Sequence, residues 1–140
     1  MNIRSFLTML LLAFLVSVFT AAQSSQPITV QLSLLYRTAA IAQNSTGVLP
    51  VAILSSSTFD ARTVDPRTLG LIAPNLKLIA TVQNSPCHER DTNDDGLLDL
   101  ICIFKAKPSI AGDSVAVLKG KSVDGIPIRG EVALHIVPTK

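Results

Sequence analysis

The chain has 140 residues, 48% of them hydrophobic, with 12 Lys/Arg against 10 Asp/Glu. That near-balance leaves no basic stripe of the kind a nucleic-acid binder needs. Aromatic residues are only 4% and Trp is absent, which argues against a stacking platform for sugars or bases.

The first predicted element is a leader. Arg4 precedes an almost unbroken apolar run from Phe6 to Phe19, and Thr20-Ala21-Ala22 places small residues before a cut after Ala22. This is the pattern of a secretory signal peptide over residues 1–22. The run is about 14 residues, short of the ~20 that a spanning helix needs, so no membrane segment is expected in the mature form. Cleavage leaves residues 23–140, roughly 118 residues and one ordinary domain. The leader carries one basic residue, Arg4, and no acidic one, so eleven Lys/Arg then face ten Asp/Glu.

Ile28, Val30, Leu32 and Leu34 alternate with polar residues, as in a half-buried strand. Val48-Leu49-Pro50-Val51-Ala52-Ile53-Leu54 is a continuous apolar run, consistent with a central strand whose first residues tolerate proline. Phe59 to Val64 reads as a short strand, Asp65-Pro66 as the start of a turn, and Thr68–Ile72 and Leu76–Val82 as two further extended segments. Leu98, Leu100, Cys102 and Phe104 share one face of the next strand. A turn over Pro108–Asp113, a strand over Ser114–Leu118, a turn over Gly120–Gly125, and strands over Ile126–Ile128 and Val132–Val137 complete the count. Seven or eight short strands, with helix minor and no internal repeat evident, predict an all-β protein: an antiparallel, Ig-like β-sandwich.

Chemistry concentrates in one stretch, Cys87 to Cys102. Oxygen-bearing side chains stand at Asp91, Asn93, Asp95 and Asp99 around Gly96, and five of the ten acidic residues fall between Glu89 and Asp99. Oxygen ligands at alternate positions followed by glycine form a tight loop that wraps a hard cation, calcium above all. Counting Asp91 as position 1, the ligands are Asp91, Asn93, Asp95, the Leu97 carbonyl and Asp99, with Asp94 pointing to solvent. An EF-hand would carry a bidentate glutamate at position 12, where this chain has Cys102. The loop over 91–99 is therefore the shorter D-x-[DN]-x-D-G-x-x-D form. Three carboxylates without a bidentate closing ligand predict weak, structural calcium, in the ~10⁻⁴–10⁻³ M range of extracellular modules.

Two cysteines in an exported chain pair with each other. A Cys87–Cys102 bridge closes a loop of about 15 residues, worth about 3 kcal/mol by chain entropy, and pre-orders the acidic segment inside it. A zinc site from Cys87, His88, Cys102 and His135 is the competing reading, but adjacent Cys87-His88 lacks zinc-knuckle spacing.

The chain also resembles a family. Gly47-Val48-Leu49-Pro50-Val51-Ala52-Ile53-Leu54, Phe59-Asp60 and Val64-Asp65-Pro66-Arg67-Thr68 are similar to G-V-I-P-V-A-I-L, F-D and V-D-P-x-T of a secreted bacterial β-sandwich module. Asp91 to Leu100, Gly112-Asp113, Leu118-Lys119-Gly120 and Asp124-Gly125-Ile126-Pro127-Ile128-Arg129-Gly130 resemble its second half, including an EF-hand-like, dockerin-like calcium loop. The resemblance implies the fold, export and calcium, and carries no catalytic activity.

No catalytic constellation is expected. His88-Glu89-Arg90 reads as a solvated approach to the loop, His135 as a structural histidine in an apolar strand, and Ser55 to Ser57 lack a G-x-S-x-G context. The expected protein is a secreted, extracellular or cell-surface/periplasmic calcium-binding module with a structural or interaction role. Its partner would be a protein or another component of the cell envelope, and neither nucleic acid nor membrane. The alternative is a small secreted hydrolase or enzyme inhibitor using the acidic loop region.

Overall fold

The computed structural model describes residues 25–35, 40–45, 47–80 and 87–139. The predicted leader, residues 1–22, and the Thr81-Val82 end of one predicted strand lie outside them. The strands are β1 (Ile28–Thr29), β2 (Leu32–Leu34), β3 (Ala40–Ala42), β4 (Gly47–Ile53) and β5 (Gly70–Ile72). They continue as β6 (Leu76–Ala80), β7 (His88–Arg90), β8 (Asp99–Pro108), β9 (Gly112–Lys121) and β10 (Pro127–Val137). Ten strands among the described residues replace the predicted seven or eight, because several edge strands are only two or three residues long.

They form two sheets of five. One runs β1-β10-β9-β5 with β3 also on β10; the other runs β2-β4-β8-β6 with β7 also on β8. The β4/β8 and β9/β10 ladders are antiparallel, as predicted. Two short edge pairings depart from that: β1 and β3 both run parallel to β10. Inward residues of both sheets, including Leu49, Val51, Ile53, Cys102 and Phe104 on one side and Leu71, Leu118, Ile128 and Leu134 on the other, make one apolar cluster. The architecture is thus an all-β sandwich, its core set by period-2 alternation along the long strands.

The Ile28–Leu34 alternation is two strands and not one. The Val30 amide still donates to the Arg129 carbonyl in the first sheet, while the Gln31 carbonyl already accepts from Leu54 in the second. The chain therefore changes sheets between Val30 and Gln31. It passes over Gly130, where an added Cβ would lie 2.7 Å from Leu32 Cγ and 2.9 Å from the Val30 carbonyl oxygen. Only a residue without a side chain admits that crossover.

Phe59–Val64 is not a strand either. Asp60-Ala61-Arg62-Thr63-Val64 and Asp65-Pro66-Arg67-Thr68-Leu69 are consecutive copies of one five-residue motif, each built on a 3-10 turn. In each copy the Asp carboxylate accepts from the backbone N–H of Arg two residues on, at 3.0 and 3.1 Å. The Arg side chain forks back onto the same carboxylate. The Thr hydroxyl donates to the Asp carbonyl at 2.7 Å. Val64 and Leu69 then plug the core. An Asp cap that satisfies the amide two residues ahead offers the backbone a turn in place of a ladder, and here it prevails over the β propensity of Phe59 and Val64.

Candidate functional site

The acidic stretch sits where β7 and β8 meet. β7 pairs antiparallel with the start of β8, Arg90 opposite Asp99 and His88 opposite Ile101, so residues 91–98 form the loop joining two neighbouring strands. Cys87 is half-buried against the core, Cys102 is fully buried, and the two are joined in a disulfide with Cα atoms 4.3 Å apart. With both sulfurs in that bond, no thiolate remains for the zinc alternative.

Within the loop the chain curls around Asp91. Its carboxylate accepts from the amides of Asp95 at 3.3 Å and Gly96 at 2.8 Å, which brings position 1 back over positions 5 and 6. Asp94 and Gly96 adopt positive φ, 58° and 84°, which closes the curl. The Asn93 side-chain amide reaches Asp95 Oδ2 at 2.9 Å, and Asp95 Oδ1 accepts from the Leu97 amide at 2.9 Å. Asn93, Asp94, Asp95 and Leu97 are exposed and Asp91 is half-buried, so Asp91, Asn93 and Asp95 gather on one accessible rim. Each carboxylate oxygen there accepts one hydrogen bond and keeps a second lone pair.

Asp99 stands apart from these. It is 0% exposed, with one oxygen turned to the body of the protein and the other to the loop. Oδ1 accepts from the Ser55 amide at 2.8 Å; Oδ2 accepts from the Thr92 amide at 2.9 Å and the Thr92 hydroxyl at 2.6 Å. Burial pushes this carboxyl up, but the bonds from Thr92 and Ser55 outweigh burial and hold it below the usual carboxylate range. Ser55 extends the network: its hydroxyl donates to the Leu98 carbonyl at 2.6 Å and accepts from the Ala61 amide at 2.8 Å. Asp99 thus ties the acidic loop to the end of β4 and to the first Asp-x-Arg-Thr turn.

Ser55 and Thr92 were invisible as site residues in the sequence. Thr92 occupies an even loop position, which carries no ligand in the alternating pattern, and Ser55 lies in a serine run that resembles any polar loop. Neither had a distinguishing signal. Among the described residues, no three His, Cys, Asp or Glu side chains converge into a metal-holding group. A cation at the rim would therefore rest on the Asp91 and Asp95 carboxylates together with uncharged oxygens of Asn93 and Leu97.

The remaining titratable residues lie elsewhere. His88, Glu89 and Arg90 are all exposed along β7. His135 lies in a strand, β10, and is hydrogen-bonded there. It lies on the outer face of β10, its ring side chain 55% exposed, with Nδ1 against the Asp113 carboxylate on β9. Neither a scan of protein-family models nor a search of curated proteins finds a match to the chain.

Proposed function

We propose that the protein is a secreted or cell-surface structural and interaction module, without catalytic activity, whose loop 91–99 takes a structural calcium ion. The observation that carries this reading is the accessible rim of Asp91, Asn93 and Asp95, curled by the bonds that the Asp91 carboxylate accepts from the amides of Asp95 and Gly96. Hard oxygen donors suit calcium. Asn93 now holds a partly positive N–H₂ group against Asp95 Oδ2; turned over, the same amide offers its oxygen. Asp91, Asn93, Asp95 and the Leu97 carbonyl are the ligands in this reading, with water completing the shell. Asp99, the remaining expected ligand, positions the loop through its bonds from Ser55 and Thr92. When bound, calcium neutralises the carboxylates that otherwise repel one another on this turn.

Export is supported by the apolar leader pattern and by the disulfide, a bond of oxidising compartments. No helix among the described residues is long and apolar enough to cross a membrane. The resemblance to secreted bacterial sandwich modules points the same way.

The test is thermal unfolding with calcium against a chelator. For a dissociation constant of ~10⁻⁴–10⁻³ M, calcium at about 10 mM adds roughly 1.4–2.7 kcal/mol and raises the midpoint by several degrees. Asp95→Ala should remove the rise. A midpoint indifferent to calcium and chelator alike defeats the calcium reading.

A further inference from the structure

β7 is a strand with almost nothing to hold it. Its three residues, His88, Glu89 and Arg90, are all exposed, so it buries no side chain of its own. It contributes three ladder positions at the edge of β8. Among the described residues, its apolar anchor on that side is Cys87, half-buried against the core and bonded to Cys102. The other end of the segment is held differently, by the Thr92 amide and hydroxyl on the buried Asp99 carboxylate. The segment 87–91 is thus a strap with a covalent fastening at one end and a hydrogen-bonded hinge at the other. Strand segments that bury no apolar surface sit at the low end of local stability, and they open without the rest of the fold when their anchor is released.

We propose that the Cys87–Cys102 disulfide is a redox latch: a dithiol reductant opens it and frees the strap 87–91 from the edge of β8, while the sandwich stays folded. The inference rests on the strap's geometry and holds with or without calcium in the neighbouring loop. A thiolate of the dithiol attacks the Sγ of Cys87, the less buried of the two cysteines, and forms a mixed disulfide. The Cys87–Cys102 bond breaks, and Cys102 leaves as a thiolate that takes up a proton. The reductant's second thiolate then attacks its own sulfur in the mixed disulfide and releases Cys87, which is protonated in turn. The dithiol ends as a disulfide, and its two electrons and two protons reside in the two cysteine thiols. Cys102 is left as a neutral thiol in the apolar core, an environment that suits a small hydrophobe. Release uncovers the backbone of Asp99–Ile101 at the edge of the second sheet, a template for pairing with another extended chain.

Limited trypsin digestion of the full chain, with and without dithiothreitol, reads both halves of the proposal. Arg90 lies inside the strap, and Arg129 lies inside the β9/β10 ladder. Reduction should raise the rate of cleavage after Arg90 on the order of tenfold or more, with cleavage after Arg129 unchanged. Cys87→Ser should show the open pattern without any reductant. The latch is overturned if Arg90 stays resistant once alkylation shows both thiols free, or if it stays resistant in Cys87→Ser. It is equally overturned if cleavage after Arg129 rises in step with Arg90, because the bond then supports the whole fold, or if the dithiol leaves the bond intact in the native protein.

Discussion

The Ser55 amide donates to the Asp99 carboxylate at 2.8 Å across 44 residues of sequence, and both residues are buried. That bond, with the two from Thr92, makes one charged group the junction of three segments. Of the three donors, the Ser55 amide is buried and would lose its partner if Asp99 were removed, whereas the Thr92 amide and hydroxyl are only partly buried.

Asp99→Ala should therefore destabilise the fold by about 3 kcal/mol, since three hydrogen bonds to a charged acceptor are lost and the buried Ser55 amide is left unpaired. Asp99→Asn keeps the volume and part of the acceptor capacity and should cost about 1 kcal/mol. Asp91→Ala and Asp95→Ala, on the solvent rim, should cost less than Asp99→Ala in calcium-free buffer. Urea denaturation midpoints of the four variants check the order.

The same junction sets acid stability. The folded-state pKa of Asp99 is depressed, as are those of Asp60 and Asp65, whose largest cause is the side-chain bond from Arg62 and from Arg67. A depressed carboxylate contributes stability that is fully present above its unfolded pKa, about 3.9, and is lost as pH falls through the folded value. The urea midpoint should be flat from about pH 7 to pH 5 with respect to these groups and should fall below about pH 4. In Asp99→Asn that fall should be shallower.

The tandem Asp-x-Arg-Thr turns separate cap from ion pair. The Arg62–Asp60 bridge is half-exposed on both sides and Arg67 is 83% exposed, so Arg62→Ala or Arg67→Ala should leave stability nearly unchanged. Asp60→Ala removes the cap on the turn as well and should cost about 1 kcal/mol. Thr68→Val should cost about as much, because the Thr68 hydroxyl accepts from the Lys121 amide at 2.8 Å and donates to the Asp65 carbonyl. Chemical denaturation of the four variants tests the split.

Two glycines offer a paired control. Gly130→Ala places a methyl against Leu32 and the Val30 carbonyl and should destabilise by about 1–3 kcal/mol. Gly47→Ala meets nothing within 4 Å and should be near neutral. Leu32→Ala in the Gly130→Ala background should recover only part of the loss, because the backbone oxygen stays where it is.

What the sequence disclosed and what it withheld follow from the range of the forces involved. Alternation along Leu98–Phe104 and the apolar run at Val48–Leu54 marked the two central strands of one sheet, because side-chain period is a local property. The disulfide partners were legible by count. Withheld was the crossover at Val30–Gln31, where the alternation continues unbroken although the hydrogen-bond partner changes from Arg129 to Leu54. Withheld too was the repeat beginning at Asp60, masked by strand-favouring Phe59 and Val64. In the acidic loop, spacing placed Asp91, Asn93 and Asp95 together but could not tell Asp99 from them. That distinction is made by Ser55, which the chain brings in from the far end of another strand.

β10 lies late in the chain, yet it is the strand on which β1, β3 and β9 all depend. Ile28 finds its partner only at Ile128, a hundred residues onward. During synthesis the first sheet cannot close until nearly everything else has emerged, and such long-range pairing makes for slow maturation. A nascent chain kept open that long offers its apolar strands to chaperones, and a stop within residues 127–137 would leave three strands without the neighbour that completes them.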